Sequence, residues 1–400
     1  MKQAIKKKTF SKPDIGELKK SWGFGVKKTD EPIKMSELKM SSAEKETEFI
    51  ILPPAFEEAL KIPGIPKGYL TLITGWSNTG KSTIKNCLIA ACQKEGILPI
   101  IYETEGNFDW KYAIDCGVQA EPVYGNVLDE ETGEVKNTIV DYDGFFVFLD
   151  NSVLCEKYGK KDHSAGGKET SKQRKEAVLE DISYSINEFL DRQADGELPF
   201  PICFIWDSIG SIGSYKSYTS KTGNNMFDAG AISQAFNRII NERIPSSRKI
   251  SEPYTNTFVC VNKIWNDSMN GMPGVPSIEL KGGKTMYYGA RLIIHLGGVA
   301  KAATKKLTAT AKGETYNYGI VTKIKVNKNQ LPTPYNLTYE GSMACVHNGL
   351  ISENELEAYK KDNVKKILEA IESQRKEKGD EMKDVTVSDV EFTEEETFDE

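Results

Sequence analysis

Eight residues have the types and the spacing of a phosphate-binding loop. Gly75-Trp-Ser-Asn-Thr-Gly80-Lys81-Ser82 fits the pattern G-x-x-x-x-G-K-[ST]. In such a loop, backbone N–H groups wrap the phosphates, the lysine reaches the β- and γ-phosphates, and the serine hydroxyl binds magnesium. The pattern predicts a bound nucleoside triphosphate, which we interpret as ATP with Mg²⁺; the alternative is a turn rich in serine and glycine. The residues expected at the nucleotide are Gly75, Ser77, Asn78, Thr79, Gly80, Lys81, Ser82 and Thr83.

Two carboxylates at strand ends could complete this chemistry. Ile202–Trp206 is a short apolar run that ends at Asp207, where a carboxylate can hold Mg²⁺ through water. The alternative role for Asp207 is to cap a helix. Leu98–Glu103 leads into Glu105, which could orient and polarise an attacking water, or could be a solvated loop residue.

The surrounding pattern predicts elements that position these groups. Tyr69–Thr74 is typical of a strand, Ser82–Glu95 of a helix ended by Gly96, and Leu98–Glu103 of the next strand. Strand, helix and strand with short joints form a βαβ unit, which indicates an α/β fold with a mostly parallel sheet flanked by helices. Further strands are predicted at 49–52, Asn256–Asn262, Arg291–Leu296 and Gly319–Val326, and helices at Ala55–Lys61 and Gln173–Asp195.

Several connecting segments are also predictable from composition. Pro63–Gly68 indicates a turn, residues 129–133 the tip of a hairpin, and Glu156–Lys172 a surface loop. Ser352 and Glu355 form a capping box before a helix, whose apolar stripe consists of Val364, Ile367, Leu368 and Ile371.

Composition limits the class of protein. The chain has 400 residues, is 39% hydrophobic and 28% charged, and has a mean hydropathy of -0.45. Apolar runs long enough to span a bilayer and a secretory h-region are both missing from the sequence. The seven cysteines are scattered without a CxxC pair, which gives no support to a zinc site and favours a reducing compartment.

The net charge of -6 hides a strong polarity along the chain. Residues 1–28 carry nine lysines against two acids, about +7, and residues 380–400 carry ten acids against one lysine, about -9. This polarity favours a protein associated with nucleic acid and regulated by its own tail, or else two solvated, disordered ends. We predict a lysine-rich arm over 1–48, a core over 49–350 with an insertion near 121–170, a helix over 351–378 and a disordered acidic tail over 379–400.

The motifs together resemble the RecA recombinase family, most closely the phage branch typified by UvsX. The resemblance lies in Gly64-Ile-Pro-Lys-Gly68 before the phosphate loop, Glu103-Thr-Glu105 with Asp109 and Tyr112, Asp207-Ser208, Gly282-Gly283, Arg291-Leu292 and Lys323–Pro334. It covers roughly residues 49–350. It implies a RecA-like P-loop core, with Glu105 as catalytic glutamate, Asp109 and Tyr112 on adenine, and Lys328 reaching the ATP of a neighbouring subunit.

Three departures from the family pattern bear on how ATP and DNA are coupled. Lys263 stands where bacterial members place a glutamine that senses the γ-phosphate. Lys328 and Gln330 replace a pair of lysines, and residues 121–170 are longer than the family requires.

Two stretches are predicted to be DNA-binding loops, about Ser211–Asp228 and about Trp265–Gly283. Lysines can neutralise phosphates, and aromatic side chains can stack on bases. Ordinary long surface loops are the alternative. Lys301, Lys305, Lys306 and Lys312, in a predicted hairpin tip, could be a secondary DNA path or a solvated charge run. The residues expected to contact DNA are Tyr215, Lys216, Tyr218, Lys221, Trp265, Lys281 and Lys284.

The sequence thus favours an ATP-dependent recombinase, a DNA-dependent ATPase that forms a homo-oligomeric filament on single-stranded DNA and pairs it with duplex. Single-strand-binding and mediator proteins are possible partners. The expected location is the cytoplasm, that of a bacterial host if a phage encodes the protein. A RecA-fold helicase or loader, and a DNA-coating protein that uses ATP as a switch with little turnover, remain as alternatives.

Overall fold

The computed structural model describes residues 44–129, 133–163, 168–220, 226–267, 277–280, 283–298, 304–377 and 386–397. Its strands are β1 Phe49–Ile51, β2 Gly64–Pro66, β3 Leu70–Gly75, β4 Leu98–Glu103, β5 Glu121–Leu128, β6 Val135–Asp143, β7 Val147–Asp150, β8 Lys161–Asp162, β9 Lys168–Glu169, β10 Ile202–Ile209, β11 Thr257–Asp267, β12 Ser277–Leu280, β13 Leu292–Leu296, β14 Thr304–Ala311, β15 Glu314–Asn329, β16 Glu340–Val346, β17 Gly349–Ile351 and β18 Glu391–Thr397.

The helices surround this set of strands. They are α1 Pro54–Leu60, α2 Lys81–Lys94, α3 Trp110–Asp115, α4 Asn151–Tyr158, α5 Leu179–Ala194, α6 Tyr215–Ser220, α7 Met226–Arg238, α8 Ile244–Ser246, α9 Gly283–Gly289 and α10 Leu356–Glu377. A π-helical turn at Ile239–Arg243 and 3₁₀ turns at Glu353–Glu355 and Val387–Asp389 complete the helical segments described.

The predicted α/β fold with a mostly parallel sheet is confirmed. A 12-stranded sheet has the order β17-β16-β15-β13-β3-β11-β10-β4-β7, with β12, β14 and β18 paired off this path. The run from β13 to β7 is parallel throughout, whereas β15, β16 and β17 add antiparallel strands at one side. The central strands β3, β4 and β10 are buried along their whole length, as their apolar sequences predict.

Alternate residues of these strands feed two cores on opposite faces of the sheet. One face packs against α1 and α2 through residues such as Ile73, Ile101 and Ile205. The other packs against α4, α5 and α7, where Trp206 stacks on Phe236 with ring centroids 5.1 Å apart. Both faces are therefore covered by helices, which leaves the ends of the strands as the accessible part of the central sheet.

The predicted turn at Pro63–Gly68 is wrong for its middle part, because Gly64–Pro66 forms strand β2. This strand pairs antiparallel with β1, with Ile50 opposite Ile65. A Cβ on Gly64 would lie 1.9 Å from the carbonyl oxygen of Ile50, so only glycine allows this close pairing.

The region of the predicted insertion is more regular than the sequence indicates. Strands β5 and β6 pair antiparallel on either side of the hairpin tip predicted at 129–133, of which residues 130–132 lie outside the described residues. The surface loop predicted at Glu156–Lys172 is wrong, because its start belongs to α4 and β8 pairs with β9 inside it. The Asp150 carboxylate caps α4 by accepting the backbone N–H of Val153 at 2.8 Å, a signal missed in the sequence.

Helix α5 begins later than the predicted Gln173. Val178 is extended, and Arg174 is held in a buried ion pair with Asp181, at 3.0 Å from Nη1 to Oδ2 and 2.6 Å from Nη2 to Oδ1. The same carboxylate accepts the backbone N–H of Val178 at 2.9 Å. Arg174 thus lies before the helix and links the insertion to it through the ion pair with Asp181.

The C-terminal region is also ordered further than predicted. The capping box is present, with the Glu355 carboxylate accepting the N–H of Ser352 at 2.8 Å, and α10 buries Ile367, Leu368 and Ile371. Disorder from about Gly379 is wrong for residues 386–397, because β18 pairs antiparallel with β14 along seven residues, Glu391 to Thr397. Phe392 packs against Tyr318 with ring centroids 5.6 Å apart, and this apolar contact anchors the acidic strand.

Candidate functional site

The predicted site residues meet where the parallel strands end. Asp207 lies beside Glu103 in the register of β10 and β4, and Lys263 lies beside Gly75 in the register of β11 and β3. Because the strands are parallel, their carboxyl ends share one edge of the sheet, and the loop between β3 and α2 passes over it. Sequence-distant acids and lysines are therefore collected at one place.

The phosphate loop has the conformation that its glycines predict. Gly80 has φ 90°, in the left-handed region, and a Cβ there would lie 2.4 Å from the sulfur of Cys345. Both constraints exclude other residues at this position. Directly after Gly80, α2 begins with Lys81, so the N-terminal end of a 14-residue helix points into the site.

Lys81 is held inside its own loop in the absence of phosphate. Its Nζ donates to the carbonyl oxygen of Gly75 at 3.0 Å and also to that of Trp76. Burial lowers the pKa of Lys81 to about 8, although the charges of Asp207 and Glu105 act in the opposite direction. The loop therefore holds an amino group whose pKa is about 8, well below the ordinary value for lysine.

This pKa predicts a pH dependence of nucleotide binding. A triphosphate would favour the charged form of Lys81, so its affinity should be greatest well below pH 8 and should fall as the pH rises through about 8. The charged fraction drops about tenfold between pH 7 and pH 9, and the apparent affinity should drop by about the same factor. Titration with ATP by calorimetry in buffers of different ionisation enthalpy measures both the affinity and the proton uptake. An affinity unchanged over this range would contradict the prediction, and Lys81→Ala is the control that should remove the dependence.

Glu105 is fixed by three side chains. Its Oε2 lies 2.9 Å from the Nζ of Lys263 and 3.2 Å from the Nδ2 of Asn107, and its Oε1 accepts from the hydroxyl of Ser208. Burial works against ionisation of Glu105, but the bonds from Lys263 and Ser208 outweigh it and hold its pKa below the ordinary value. The carboxylate is thus charged and aimed into the site, and Lys263 is its counter-ion.

Asp207 has a different counter-ion. The Nζ of Lys85 lies 2.5 Å from Oδ2 of Asp207 and 2.9 Å from Oε2 of Glu103, and all three side chains are buried. Burial disfavours the charge on Lys85, but the two carboxylates outweigh it and raise the lysine's pKa. Asp207 is thus at the edge of the site, as predicted, but already carries an ion pair.

These groups line one cavity of about 530 Å³. The volume is in the range of small-molecule sites. The predicted residues Ser77 to Thr83, Glu105, Tyr112 and Asp207 all contribute to its wall. Sequence reasoning missed a second set of lining residues, from β15 and β16 and the turn after β16, namely Tyr316, Asn317, Tyr318, Gly319, Ile320, Cys345, Val346 and His347.

Tyr112 lines the cavity beside the phosphate loop, and Asp109 precedes the helix that carries it. The hydroxyl of Tyr112 lies 2.6 Å from Oγ1 of Thr83. Asp109 is exposed and caps α3, its carboxylate accepting the N–H of Tyr112 at 3.0 Å. The cap fixes Tyr112 at the cavity wall, which is a positional role for Asp109 that does not require a nucleotide.

The oxygen donors at this edge fit magnesium. Ser82 is exposed at the start of α2, and the Asp207 carboxylate faces the same cavity. Among the described residues, no three His, Cys, Asp or Glu side chains converge to hold an ion by themselves. Mg²⁺ commonly takes one or two protein oxygens and completes its shell with substrate phosphates and water, so the pair of donors is sufficient.

Comparison with known proteins finds similarity in the first half of the chain. Residues 37–153 match the model of the RecA N-terminal domain. This segment of the chain is thus RecA-like. The chain is 35% identical over 99 residues to Protein RecA of Campylobacter lari, 24% of this chain and 29% of the relative. It is 33% identical over 103 residues to Protein RecA of Aquifex aeolicus, 25% of this chain and 30% of the relative.

The match to RecA is confined to one part of the chain. It spans less than a third of the length of these curated relatives. The matched segment 37–153 contains the phosphate loop, Glu105, Asp109 and Tyr112, whereas Asp207, Lys263 and Lys328 lie beyond it. The structure itself is therefore what joins Asp207 and Lys263 to the RecA-like segment.

Lys328, the residue expected to act in a neighbouring subunit, lies outside the lining of its own cavity. Its Nζ donates to the carbonyl oxygens of Tyr287 at 2.7 Å and Tyr288 at 3.0 Å, at the end of α9. A cation at the C-terminal end of a helix is favourable. Burial, followed by the charge of Arg291, lowers the pKa of Lys328.

The first predicted DNA-binding loop contains regular structure. Tyr215, Lys216 and Tyr218 lie on α6, and Met226–Asp228 already belong to α7, so a loop throughout Ser211–Asp228 is wrong. The ring of Tyr215 meets the ring of His163 edge-on, and its centre lies 5.7 Å from the guanidinium carbon of Arg174. Lys216 is exposed, and Lys221 lies outside the described residues.

The second predicted loop is shorter than expected. Strand β11 continues beyond Asn262 to Asp267 and pairs antiparallel with β12, so Trp265 belongs to a strand. Lys284 is exposed on α9, and Lys281 lies outside the described residues. The hairpin predicted around Lys305 and Lys306 is confirmed as β14 and β15, but these lysines lie along β14 rather than at the tip; Lys312 is at the tip, and Lys301 is outside the described residues.

Proposed function

We propose that this chain is an ATP-dependent DNA recombinase, which assembles as a filament on single-stranded DNA and promotes homologous pairing and strand exchange. The observation that supports it best is the single cavity in which the phosphate loop, Glu105 and Asp207 meet, in a chain with a RecA N-terminal domain. The proposed reaction is DNA-dependent hydrolysis of ATP to ADP and phosphate.

Each side chain of the cavity has a place in this reaction. The N–H groups of the phosphate loop and the ammonium of Lys81 would bind the β- and γ-phosphates. Glu105 would orient the attacking water and accept its proton, since it is charged and faces the cavity. Ser82 and Asp207 would hold Mg²⁺, which when bound neutralises charge on the phosphates. Tyr112 would contact the base.

Lys328 would serve a different molecule of the same protein. It lies outside the lining of its own cavity, and its Nζ donates hydrogen bonds to the carbonyl oxygens of Tyr287 and Tyr288. In a filament, it would approach the triphosphate of the adjoining subunit and stabilise charge in the transition state, as an arginine finger does. Hydrolysis would therefore depend on assembly.

DNA would be bound by the elements that follow β10 and β11. Lys216, Tyr218 and Lys284 are candidates among the described residues, with Lys221, Trp265 and Lys281 proposed from the sequence. Electron microscopy with single-stranded DNA and a non-hydrolysable ATP analogue tests the proposal, and we expect helical filaments. DNA-independent ATPase activity without filaments would refute it, and hexameric rings would favour a helicase or loader.

One observation supports a second candidate function. The ion pair between Lys263 and Glu105 restrains the proposed base, which suits a DNA-coating protein that uses ATP as a switch and turns it over slowly. Tight, ATP-dependent binding to single-stranded DNA with a turnover number near zero would support this candidate over the recombinase.

Replacing Lys263 by glutamine is expected to raise ATP hydrolysis in the absence of DNA, by about threefold or more. Removing the ammonium 2.9 Å from Glu105 makes the carboxylate a stronger base, while its bond from Ser208 remains. Steady-state phosphate release measures the effect, with Lys249→Gln as control because Lys249 is not among the residues that line the cavity. A fall in turnover would instead indicate that Lys263 stabilises the transition state.

Removing the acidic strand is expected to tighten DNA binding. In β18, Glu396 and Glu395 stand opposite Lys305 and Lys306 of β14, and Glu394 lies 4.0 Å from Lys305, so acids occupy a surface that could bind phosphate. Deleting residues 380–400 should raise affinity at low salt about fivefold, with the gain lost at high salt. Fluorescence anisotropy with labelled DNA measures it; equal affinity at low salt would refute the prediction.

A charge-only variant separates this effect from loss of packing by Phe392. Replacing Glu394, Glu395 and Glu396 by glutamine keeps the length of the strand and removes three charges. The matched control neutralises three exposed glutamates in other segments, Glu57, Glu58 and Glu134. Only the first variant should reproduce the deletion.

We also propose a phage source and action in the cytoplasm of a bacterial host, on the basis of the UvsX-like motifs. Single-strand-binding and mediator proteins remain proposed partners. None of the described helices combines the length and the apolarity that crossing a bilayer requires.

A further inference from the structure

Helix α2 carries a second lysine, which the proposed reaction does not use. Lys85 lies one turn after Lys81, on the buried side of the helix, and its side chain is 3% exposed. Its Nζ lies 2.5 Å from Oδ2 of Asp207, 2.9 Å from Oε2 of Glu103 and 4.9 Å from the centre of the Phe108 ring. A lysine at such depth is rare without partners, and here both partners are acids.

The two acids explain why a cation is required. Asp207 and Glu103 are direct neighbours in the register of adjacent parallel strands, with 6% and 1% of their side chains exposed. Two carboxylates in such a place repel each other strongly when no cation separates them. Lys85 reduces the charge of the group from two negative charges to one.

The same geometry decides what Asp207 can offer to a metal ion. One of its oxygens is occupied by the ammonium of Lys85, and the carboxylate edge toward the cavity is the part left for an ion. The remaining charge of the group is minus one, which is a weak attraction for a divalent cation in the absence of phosphates. The triphosphate supplies the additional negative charge only when it binds.

We propose that Lys85 is a positioning residue that acts as a permanent counter-ion of Asp207. It fixes the carboxylate in the nucleotide-free protein and makes binding of the divalent cation depend on the nucleotide. This inference rests on the proposed ATP site, because it assigns a role to Lys85 in the magnesium binding of that site. Before nucleotide binds, the lysine would thus supply part of the positive charge that the metal ion supplies afterwards.

The proposal predicts that cation affinity follows the charge of the three-residue group. At a pH where both acids are ionised, Lys85→Met leaves a charge of minus two, Glu103→Gln leaves zero, and the double variant restores minus one with neither ion pair. We expect the nucleotide-free Lys85→Met protein to bind Mn²⁺, used as the probe, about tenfold or more tightly than the original protein. The double variant should return to the original affinity, and Glu103→Gln should bind more weakly.

Electron paramagnetic resonance of Mn²⁺ titrated into the full chain without nucleotide measures these affinities. Thermal unfolding shows which variants are folded, and the charge-matched double variant gives a test even if Lys85→Met alone fails to fold. Its Mn²⁺ affinity must then equal that of the original protein, whereas Glu103→Gln must still bind more weakly. Equal affinity in all folded variants, or an order unrelated to charge, would overturn the proposal.

A second measurement distinguishes failure of this inference from failure of the proposed function. Binding of a fluorescent ATP analogue, with and without Mg²⁺, tests the nucleotide site separately. If the original protein binds no nucleotide, the proposed function fails whatever the Mn²⁺ series shows. If it binds nucleotide, Lys85→Met should reduce the factor by which nucleotide enhances Mn²⁺ binding. An unchanged factor would contradict the role proposed for Lys85 and leave the proposed function intact.

Discussion

Replacing Lys81 by alanine is expected to abolish nucleotide-dependent function. The side chain is buried in the phosphate loop, and its ammonium is the cation placed to meet the β- and γ-phosphates. We expect ATP affinity to fall about a hundredfold or more, which corresponds to about 2.7 kcal/mol. Binding of a fluorescent ATP analogue and ATP-dependent binding of single-stranded DNA measure the loss.

A lysine at the other end of the same helix provides the control. Lys94 lies in the last turn of α2 and is exposed, so Lys94→Ala removes the same charge from the same helix without touching the loop. It should retain nucleotide affinity. If Lys81→Ala also retained it, the assignment of this loop to phosphate would be wrong.

Replacing Glu105 by glutamine is expected to separate binding from hydrolysis. Glutamine has nearly the same shape and can keep a bond with Ser208, but it cannot accept a proton from water. We expect ATP affinity to remain within about twofold and turnover to fall about a hundredfold or more. Nucleotide affinity and DNA-stimulated phosphate release, measured on the same preparation, test both parts.

The control is a glutamate of equal charge far from the cavity. Glu58 is exposed on α1, and Glu58→Gln should change neither quantity. Unchanged turnover in Glu105→Gln would refute the catalytic assignment. Loss of ATP binding would instead indicate that the pair with Lys263 mainly supports the structure of the site.

Local motifs predicted that the phosphate loop, Glu105 and Asp207 lie at one edge of the sheet. The phosphate loop, the strand and helix around it, and the acids Glu105 and Asp207 are governed by short-range rules, namely glycine conformation, strand patterning and the edge of a parallel sheet. These rules depend on neighbours along the sequence. The predicted α/β fold followed from the same βαβ unit.

The contacts that tune the site could not be predicted in this way. Lys85 and Asp207 are 122 positions apart, and nothing in either segment identifies the other as its partner. Lys85 did give one signal, because the residues that follow it at helical spacing, Leu88, Ile89 and Cys92, are apolar. Likewise, a run of glutamates suggests disorder. Residues 391–397 form a strand because Phe392 packs against the core and the chain pairs with β14, which carries lysines.

The strand β18 also affects how the molecule behaves in concentrated solution. Without it, β14 would present a row of unpaired N–H and C=O groups, which is a template for pairing with another polypeptide. Among the described strands, β18 pairs with β14 alone and becomes the new border of the sheet, with four glutamates in its seven residues. Like charges along a border discourage a second copy from adding to it. Proteolysis that removed this segment would therefore give a protein prone to aggregate through β14.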